Sequence, residues 1–117
     1  MKLTSWNCRG LSSKRKEEAL KDIIKTSEVD ILLLQETKMS QQDSLKASRN
    51  AWKNSQGIAE NARGASGSLC MLWNTTKIEL LNLDTRTHWI HTSLLHKDSG
   101  VQVNLINIYV LQHIEEK

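Results

Sequence analysis

The sequence predicts an α/β (α+β) fold whose mixed sheet opens with a βαβ unit, and three observations predict it. An unbroken apolar run, Ile31-Leu32-Leu33-Leu34, passes straight into Gln35-Glu36-Thr37. An earlier strand-like run, Leu3-Thr4-Ser5-Trp6, passes into Asn7-Cys8-Arg9-Gly10, and a helical pattern lies between the two. The last third then changes character, with four apolar runs separated by turn residues.

Taken in order, residues 2–7 read as a short strand and Gly10 as a turn. Ser12 or Ser13 can cap a helix running to Thr26, with Ala19, Leu20, Ile23 and Ile24 on one face. Glu17 and Glu18 suit its first turns, whereas Lys14-Arg15-Lys16 sit against the helix dipole. Val29–Leu34 has the continuous apolar character of a strand buried on both faces. Strand, helix and strand make a βαβ unit with a right-handed crossover. Residues 38–66 are polar, with a short helix around Ser44–Trp52 and then a loop through Gly57 and Gly64. Leu69–Trp73, Ile78–Leu83, Trp89–Leu95 and Val101–Tyr109 read as strands. They are separated by Asn74-Thr75, Asp84-Thr85 and Lys97-Asp98-Ser99-Gly100, the last with the residues of a hairpin turn. A βαβ start followed by antiparallel-type strands gives a mixed sheet.

The chain has 117 residues, 38% apolar and 25% charged, the balance of one folded domain rather than a disordered chain. No stretch approaches the roughly 18 consecutive apolar residues of a membrane span. The N-terminus lacks the apolar core of a secretory signal, so an intracellular location, nuclear or cytoplasmic, is expected, with no membrane partner. A net charge of +3 does not by itself indicate nucleic acid. Cys8 and Cys70 have no metal-ligand spacing and lie in apolar runs, which reads as buried free thiols. His88 and His91, three apart on a strand, point to opposite faces; His96 and His113 read as surface residues. There is no proline, where average usage of about 5% gives roughly six in this length.

The chemistry lies at the strand ends. A carboxylate at the C-terminal end of a buried strand is where open α/β sheets gather ligands, and a hard divalent cation takes such an oxygen. If the first two strands are parallel, Asn7 and Glu36 emerge at one edge. Each residue also has a plainer reading. Asn7 alone reads equally as a turn former before Gly10, and Glu36 alone as a solvated loop carboxylate. Tyr109 reads either as half-buried packing or as a hydrogen-bond donor. Lys14-Arg15-Lys16 read either as a solvated helix start or, with Arg9, as contacts to backbone phosphates.

The order of Ser5-Trp6-Asn7-Cys8-Arg9-Gly10, Leu34-Gln35-Glu36-Thr37, Gly64-Ala65-Ser66-Gly67-Ser68 and Asn107-Ile108-Tyr109 resembles the endonuclease/exonuclease/phosphatase superfamily. Within it the chain looks most like plant non-LTR retrotransposon endonucleases. The resemblance implies half of a four-layer deoxyribonuclease-like sandwich and a divalent-metal-dependent phosphodiesterase activity on DNA, with Mg²⁺ (or Mn²⁺) as cofactor. It implies Glu36 as the direct metal ligand and a catalytic residue, and Asn7 as a neutral ligand or orienting group. Tyr109 would be the catalytic hydrogen-bond donor to the scissile phosphate, and Ser66 and Gly67 a small-residue turn beneath the site. Arg9, Lys14, Arg15 and Lys16 would be the nucleic-acid contacts.

Departures from the family pattern accompany the matches. The family's chain is about twice this long by the usual domain-size reckoning, and its later strings, Gly-Asp-x-Asn and Ser-Asp-His, do not occur in these residues. Leu111 stands where the family has proline after Asn-x-Tyr, and Ser68 replaces a second glycine. The expectation is a truncated domain over residues 1–109 with a divergent tail at 110–117. Its metal would be weakly bound and its activity weak or absent; a non-catalytic remnant or a nucleic-acid binding module is the alternative. Half of a two-sheet fold is also expected to bare the apolar inner face of one sheet and to self-associate through it.

Overall fold

The computed structural model describes residues 1–60, 68–86 and 89–108. Among these, the elements follow in the order β1 (Leu3–Asn7), α1 (Lys14–Ser27), β2 (Ile31–Gln35), α2 (Gln41–Ala51), β3 (Ser55–Glu60), β4 (Leu69–Asn74), β5 (Ile78–Arg86), β6 (Trp89–His96) and β7 (Val101–Ile108). β1 and β2 pair in parallel, with Asn7 opposite Gln35, as the βαβ pattern predicts. β4 joins β2 antiparallel and β3 joins β4, giving a mixed four-stranded sheet in the order β1-β2-β4-β3. β5, β6 and β7 form a second, antiparallel sheet.

Strand periodicity explains how the layers stack. Successive residues face opposite sides, so Leu32 and Leu34 of β2 and Cys70 and Leu72 of β4 meet Leu11, Leu20 and the half-buried Ile23, Ile24 and Leu45 on the helix side. Their neighbours Ile31, Leu33, Leu69, Met71 and Trp73 meet Ile78, Ile90 and Leu94 of the second sheet. A strand covered on both faces needs an apolar residue at every position, and this is why β2 and β4 read as unbroken runs. Each fully buried side chain of this kind contributes about 1.5–3 kcal/mol.

Both helices are fixed at their starts by serine caps. The Ser13 hydroxyl accepts from the Lys16 amide at 3.2 Å and the Ser40 hydroxyl from the Asp43 amide at 3.1 Å, each satisfying an N–H that has no partner within the helix. α2 lies against β3 at Gly57, where an added Cβ would stand 3.1 Å from the Met71 carbonyl and 3.2 Å from Leu45 Cδ2. A side chain at residue 57 would therefore hold helix and strand apart.

Three expectations need correction. The loop through Gly57 is instead the edge strand β3, hidden because Ser-Gln-Gly-Ile-Ala-Glu has no strong strand pattern. Asp84 and Thr85 do not turn; they continue β5, opposite His91 and Ile90. The inner face of the first sheet is not bare, because β5–β7 cover it. The apolar surface that is exposed lies elsewhere: Ile106 and Ile108 alternate along β7 with the inward residues Leu105 and Asn107, and are 46% and 49% exposed. Among the described residues, no helix is long and apolar enough to cross a membrane.

Candidate functional site

The parallel pairing of β1 with β2 sends both chains out of the sheet side by side, and backbone hydrogen bonds continue between them past the last residue of each strand. The Cys8 amide donates to the Gln35 carbonyl at 3.1 Å, Gly10 to Glu36 at 2.6 Å and Leu11 to Thr37 at 2.9 Å. To keep this course the backbone turns left-handed at Arg9 (φ +51°), Glu36 (+55°) and Lys38 (+56°), and at Gly10 (+98°). Glycine takes that conformation freely, whereas a non-glycine residue there costs on the order of 1 kcal/mol or more. Three such residues in one pair of loops are strain held in place by the sheet beneath.

At this edge the Asn7 side-chain amide donates to Glu36 Oε2 at 3.0 Å. Asn7 is exposed and Glu36 half-buried, so the pair is open to solvent on one side. Behind it sits Cys8, buried, with its thiol donating to the carbonyls of Gln35 at 3.3 Å and Glu36 at 3.7 Å. Burial raises the Cys8 pKa above its ordinary value, which keeps the thiol a neutral donor. On the other flank the Thr37 hydroxyl is 2.5 Å from that of Ser68 and 3.3 Å from that of Ser44, and the Lys38 amide donates to Ser68 Oγ at 2.7 Å. Ser68 thus does what a glycine in its place could not: its hydroxyl satisfies groups of the loop that carries Glu36.

The structure brings together Asn7 and Glu36, with Arg9 on the same loop pair and exposed. Lys14 and Arg15 are exposed at the start of α1. Lys16 is differently occupied: its ammonium donates to the Cys8 carbonyl at 2.6 Å and lies 5.7 Å from the centroid of the Trp6 ring, where cation–π attraction adds to the bond. Tyr109, Ser66, Gly67, His88 and His113 lie outside the described residues. Cys8 and Cys70 are free and buried. His91 stacks on Trp89, with ring centroids 6.3 Å apart.

The residue to which sequence reasoning gave no role of its own, although it opens the Asn107-Ile108-Tyr109 string, is Asn107. It is buried, and its amide nitrogen donates to the carbonyls of Leu34 at 3.2 Å and Cys70 at 3.0 Å, while Gln35 Nε2 donates to its oxygen at 2.7 Å. The signal was present, because a period of two puts Asn107 on the same face as Val103 and Leu105, an amide in an apolar row.

Among the described residues, no three His, Cys, Asp or Glu side chains gather to hold a metal ion. One carboxylate and one amide, whose oxygen comes beside the carboxylate when the amide group rotates, do not fit zinc, which takes three or four protein ligands. They do fit Mg²⁺ or Mn²⁺, ions that accept hard oxygens and keep several waters.

A two-layered β-sandwich with helices on one outer face and a carboxylate–amide pair at parallel strand ends defines an α/β domain with an oxygen-donor edge. A family model described as the Endonuclease/Exonuclease/phosphatase family matches residues 4–110, and the chain belongs to that family. Solved structures share the fold. The mannosyl-6-phosphatase of Bacteroides thetaiotaomicron matches with a TM-score of 0.69 at 13% identity, over 89% of this chain and 49% of its own. The AP endonuclease of Leishmania major matches with 0.65 at 22% identity, over 92% and 39%. ANGEL2, a 2′,3′-cyclic phosphatase, matches with 0.69 at 17% identity, over 93% and 40%. The chain therefore spans about half the length of these structures or less. No curated protein matches it by sequence.

Proposed function

We propose that this chain carries the metal-ligand half of a phosphodiesterase site of the DNA endonuclease type, with Glu36 as the carboxylate ligand of Mg²⁺ or Mn²⁺ and Asn7 as its neutral partner. One observation carries the reading: the 3.0 Å bond between Asn7 and Glu36 across the ends of two parallel strands. The left-handed backbone at Glu36 adds support, because strain of this kind gathers at functional sites. A bound ion supplies charge neutralisation at the phosphate and stabilises the leaving oxygen. Glu36 and Asn7 hold it, Tyr109 donates to a non-bridging oxygen, and Arg9, Lys14 and Arg15 meet the phosphates of a DNA strand.

Residues 1–109 act in this reading as the first half of the domain and 110–117 as a divergent tail. The Gly-Asp-x-Asn and Ser-Asp-His strings do not occur in these 117 residues, and with them go the water-orienting aspartate and the general acid–base histidine. Groups of that type each contribute about 10²- to 10⁴-fold, so these 117 residues by themselves hydrolyse little or nothing, and one carboxylate with one amide holds a magnesium ion only weakly. The alternative is a non-catalytic remnant of retroelement origin that binds nucleic acid through Arg9, Lys14 and Arg15. What favours it is the exposure of those three side chains.

Three measurements separate the readings. Mn²⁺ added to the chain should broaden the resonances of Asn7 and Glu36, and Glu36→Ala should abolish the effect. Nicking of supercoiled plasmid should be close to background and should vanish in Glu36→Ala; nicking that survives the substitution sinks the metal-site reading. Salt-dependent DNA binding that weakens on neutralising Arg9, Lys14 and Arg15, without any Glu36-dependent Mn²⁺ effect, selects the alternative.

A further inference from the structure

Asn107 has no part in the site as described so far, yet it is only 1% exposed. Burying an amide is costly unless its groups are bonded, and here both kinds are used. The nitrogen gives its two hydrogens to the carbonyls of Leu34 and Cys70, and the oxygen accepts from Gln35 Nε2. Leu34 and Cys70 are opposite one another in the β2–β4 ladder. Gln35 is opposite Asn7 in the β1–β2 ladder, and its Nε2 also donates to Ser5 Oγ of β1 at 3.0 Å. One side chain from the second sheet thus ties β2 to β4 and, through Gln35, to β1. All of these bonds fall on the last rungs before the backbone turns left-handed at Glu36.

We propose that Asn107 is a positioning residue for the Glu36–Asn7 pair: it locks the ends of β1, β2 and β4 so that the carboxylate is presented to the Asn7 amide and to a metal ion. The proposal rests on reading Glu36 as a metal ligand. The residue type follows from the geometry. An aspartate of the same shape has no donor for the two carbonyls, a leucine has neither donor nor acceptor, and a serine is shorter and offers one hydrogen. Only a planar amide gives two donors and an acceptor at this point.

The test is NMR on the 117-residue chain with Mn²⁺ as the probe. In Asn107→Leu the amides of Leu32 and Leu72 should keep their hydrogen-exchange protection while the Asn7 side-chain amide loses its hydrogen-bonded shift. The Mn²⁺ concentration needed to broaden Asn7 and Glu36 should rise by about tenfold or more, the usual scale for groups that orient a metal ligand. Gln35→Leu, which leaves the two carbonyls held but cuts the link to β1, should shift both readouts the same way by less. An unchanged Asn7 amide and an unchanged Mn²⁺ midpoint in both variants overturn the proposal. Loss of protection at Leu32 and Leu72 in both also overturns it, in favour of a purely structural clamp. Failure of the underlying metal-site reading looks different: broadening in the unsubstituted chain then survives Glu36→Gln, and the Asn7 amide alone decides the role of Asn107.

Discussion

The two sheets are built to different rules. In the four-stranded sheet, Ile31, Leu32, Leu33 and Leu34 of β2 and all of Leu69 to Trp73 in β4 are buried, because helices cover one face and the second sheet covers the other. In the three-stranded sheet, β6 alternates between buried and half-buried positions, and β7 is largely exposed on its outer side. The candidate site rises from the first sheet. A doubly covered strand end cannot shift without opening two cores, so it can hold left-handed residues such as Glu36 and Lys38. A sheet covered on one side has no such hold at its outer face, and there the chain carries side chains that a helix or another chain could cover.

The largest expected effect sets the two sheets against each other. Leu34, 0% exposed, lies between the helices and the root of the Glu36 loop. Leu34→Ala should cost about 2–5 kcal/mol, the range for deleting a buried leucine side chain, a large share of the 5–15 kcal/mol that holds an ordinary domain together. Ile106→Thr, on the outer face of β7, should change stability by no more than about 0.5 kcal/mol. Urea unfolding measures both as shifts in midpoint at constant slope. Equal losses at the two positions would break the comparison, since they would mean that the outer face of β7 is as tightly covered as β2.

How much of this was legible follows from the same contrast. The βαβ unit, the continuous burial of β2 and the meeting of Asn7 with Glu36 could be read because each rests on local pattern: a run of four apolar residues, a serine cap, and a carboxylate directly after a strand. The buried free thiols could be read from their apolar neighbours. β3 could not, because its place at the edge of the sheet is decided by β4 and α2 rather than by its own residues, and Gly57 looks like a loop residue until the helix is seen against it. The division into two sheets was also hidden. Nothing in the spacing of β4 and β5 tells whether the chain continues one sheet or starts another. Asn107 and Ser68 are a third kind of miss. Their bonds run to Leu34, Gln35, Thr37 and Lys38, partners more than two dozen residues away along the chain.

A smaller effect should appear at alkaline pH, and it belongs to the four-stranded sheet alone. Both cysteines sit on its helix-facing side. Burial pushes the Cys70 thiol from the ordinary 9.0 up to about 12 and raises Cys8 as well. The unfolded chain therefore loses these protons first, so stability falls as pH rises above about 9 and continues to fall until the folded Cys70 itself ionises near 12. The slope per thiol is at most about 1.4 kcal/mol per pH unit. Urea midpoints at pH 8, 9 and 10, taken here as roughly spanning the unfolded thiol pKa, should drop progressively, and Cys70→Ala should flatten the curve. A flat curve in the unsubstituted chain would mean that water reaches Cys70 in the folded state.

The smallest effect on stability carries the sharpest test of the outer face. For the isolated chain we propose self-association through β7 and β6, where Ile106 lies opposite His91 and Ile108 opposite Trp89 in the ladder. Among the described residues β7 is also an edge strand, and such an edge beside exposed isoleucines is a template for a second copy. Ile106→Lys with Ile108→Lys places charge on that face and that edge together. It should leave the unfolding midpoint within about 0.5 kcal/mol of the parent and turn a concentration-dependent sedimentation coefficient into a constant one. Leu3→Lys supplies the contrast. Leu3 is 47% exposed on β1, the edge of the other sheet, and opposite Ile31, which faces the inter-sheet core. If Leu3→Lys abolishes association and the β7 pair does not, the copies meet along the β1 edge, at the end of the strand away from Asn7, rather than on the outer face.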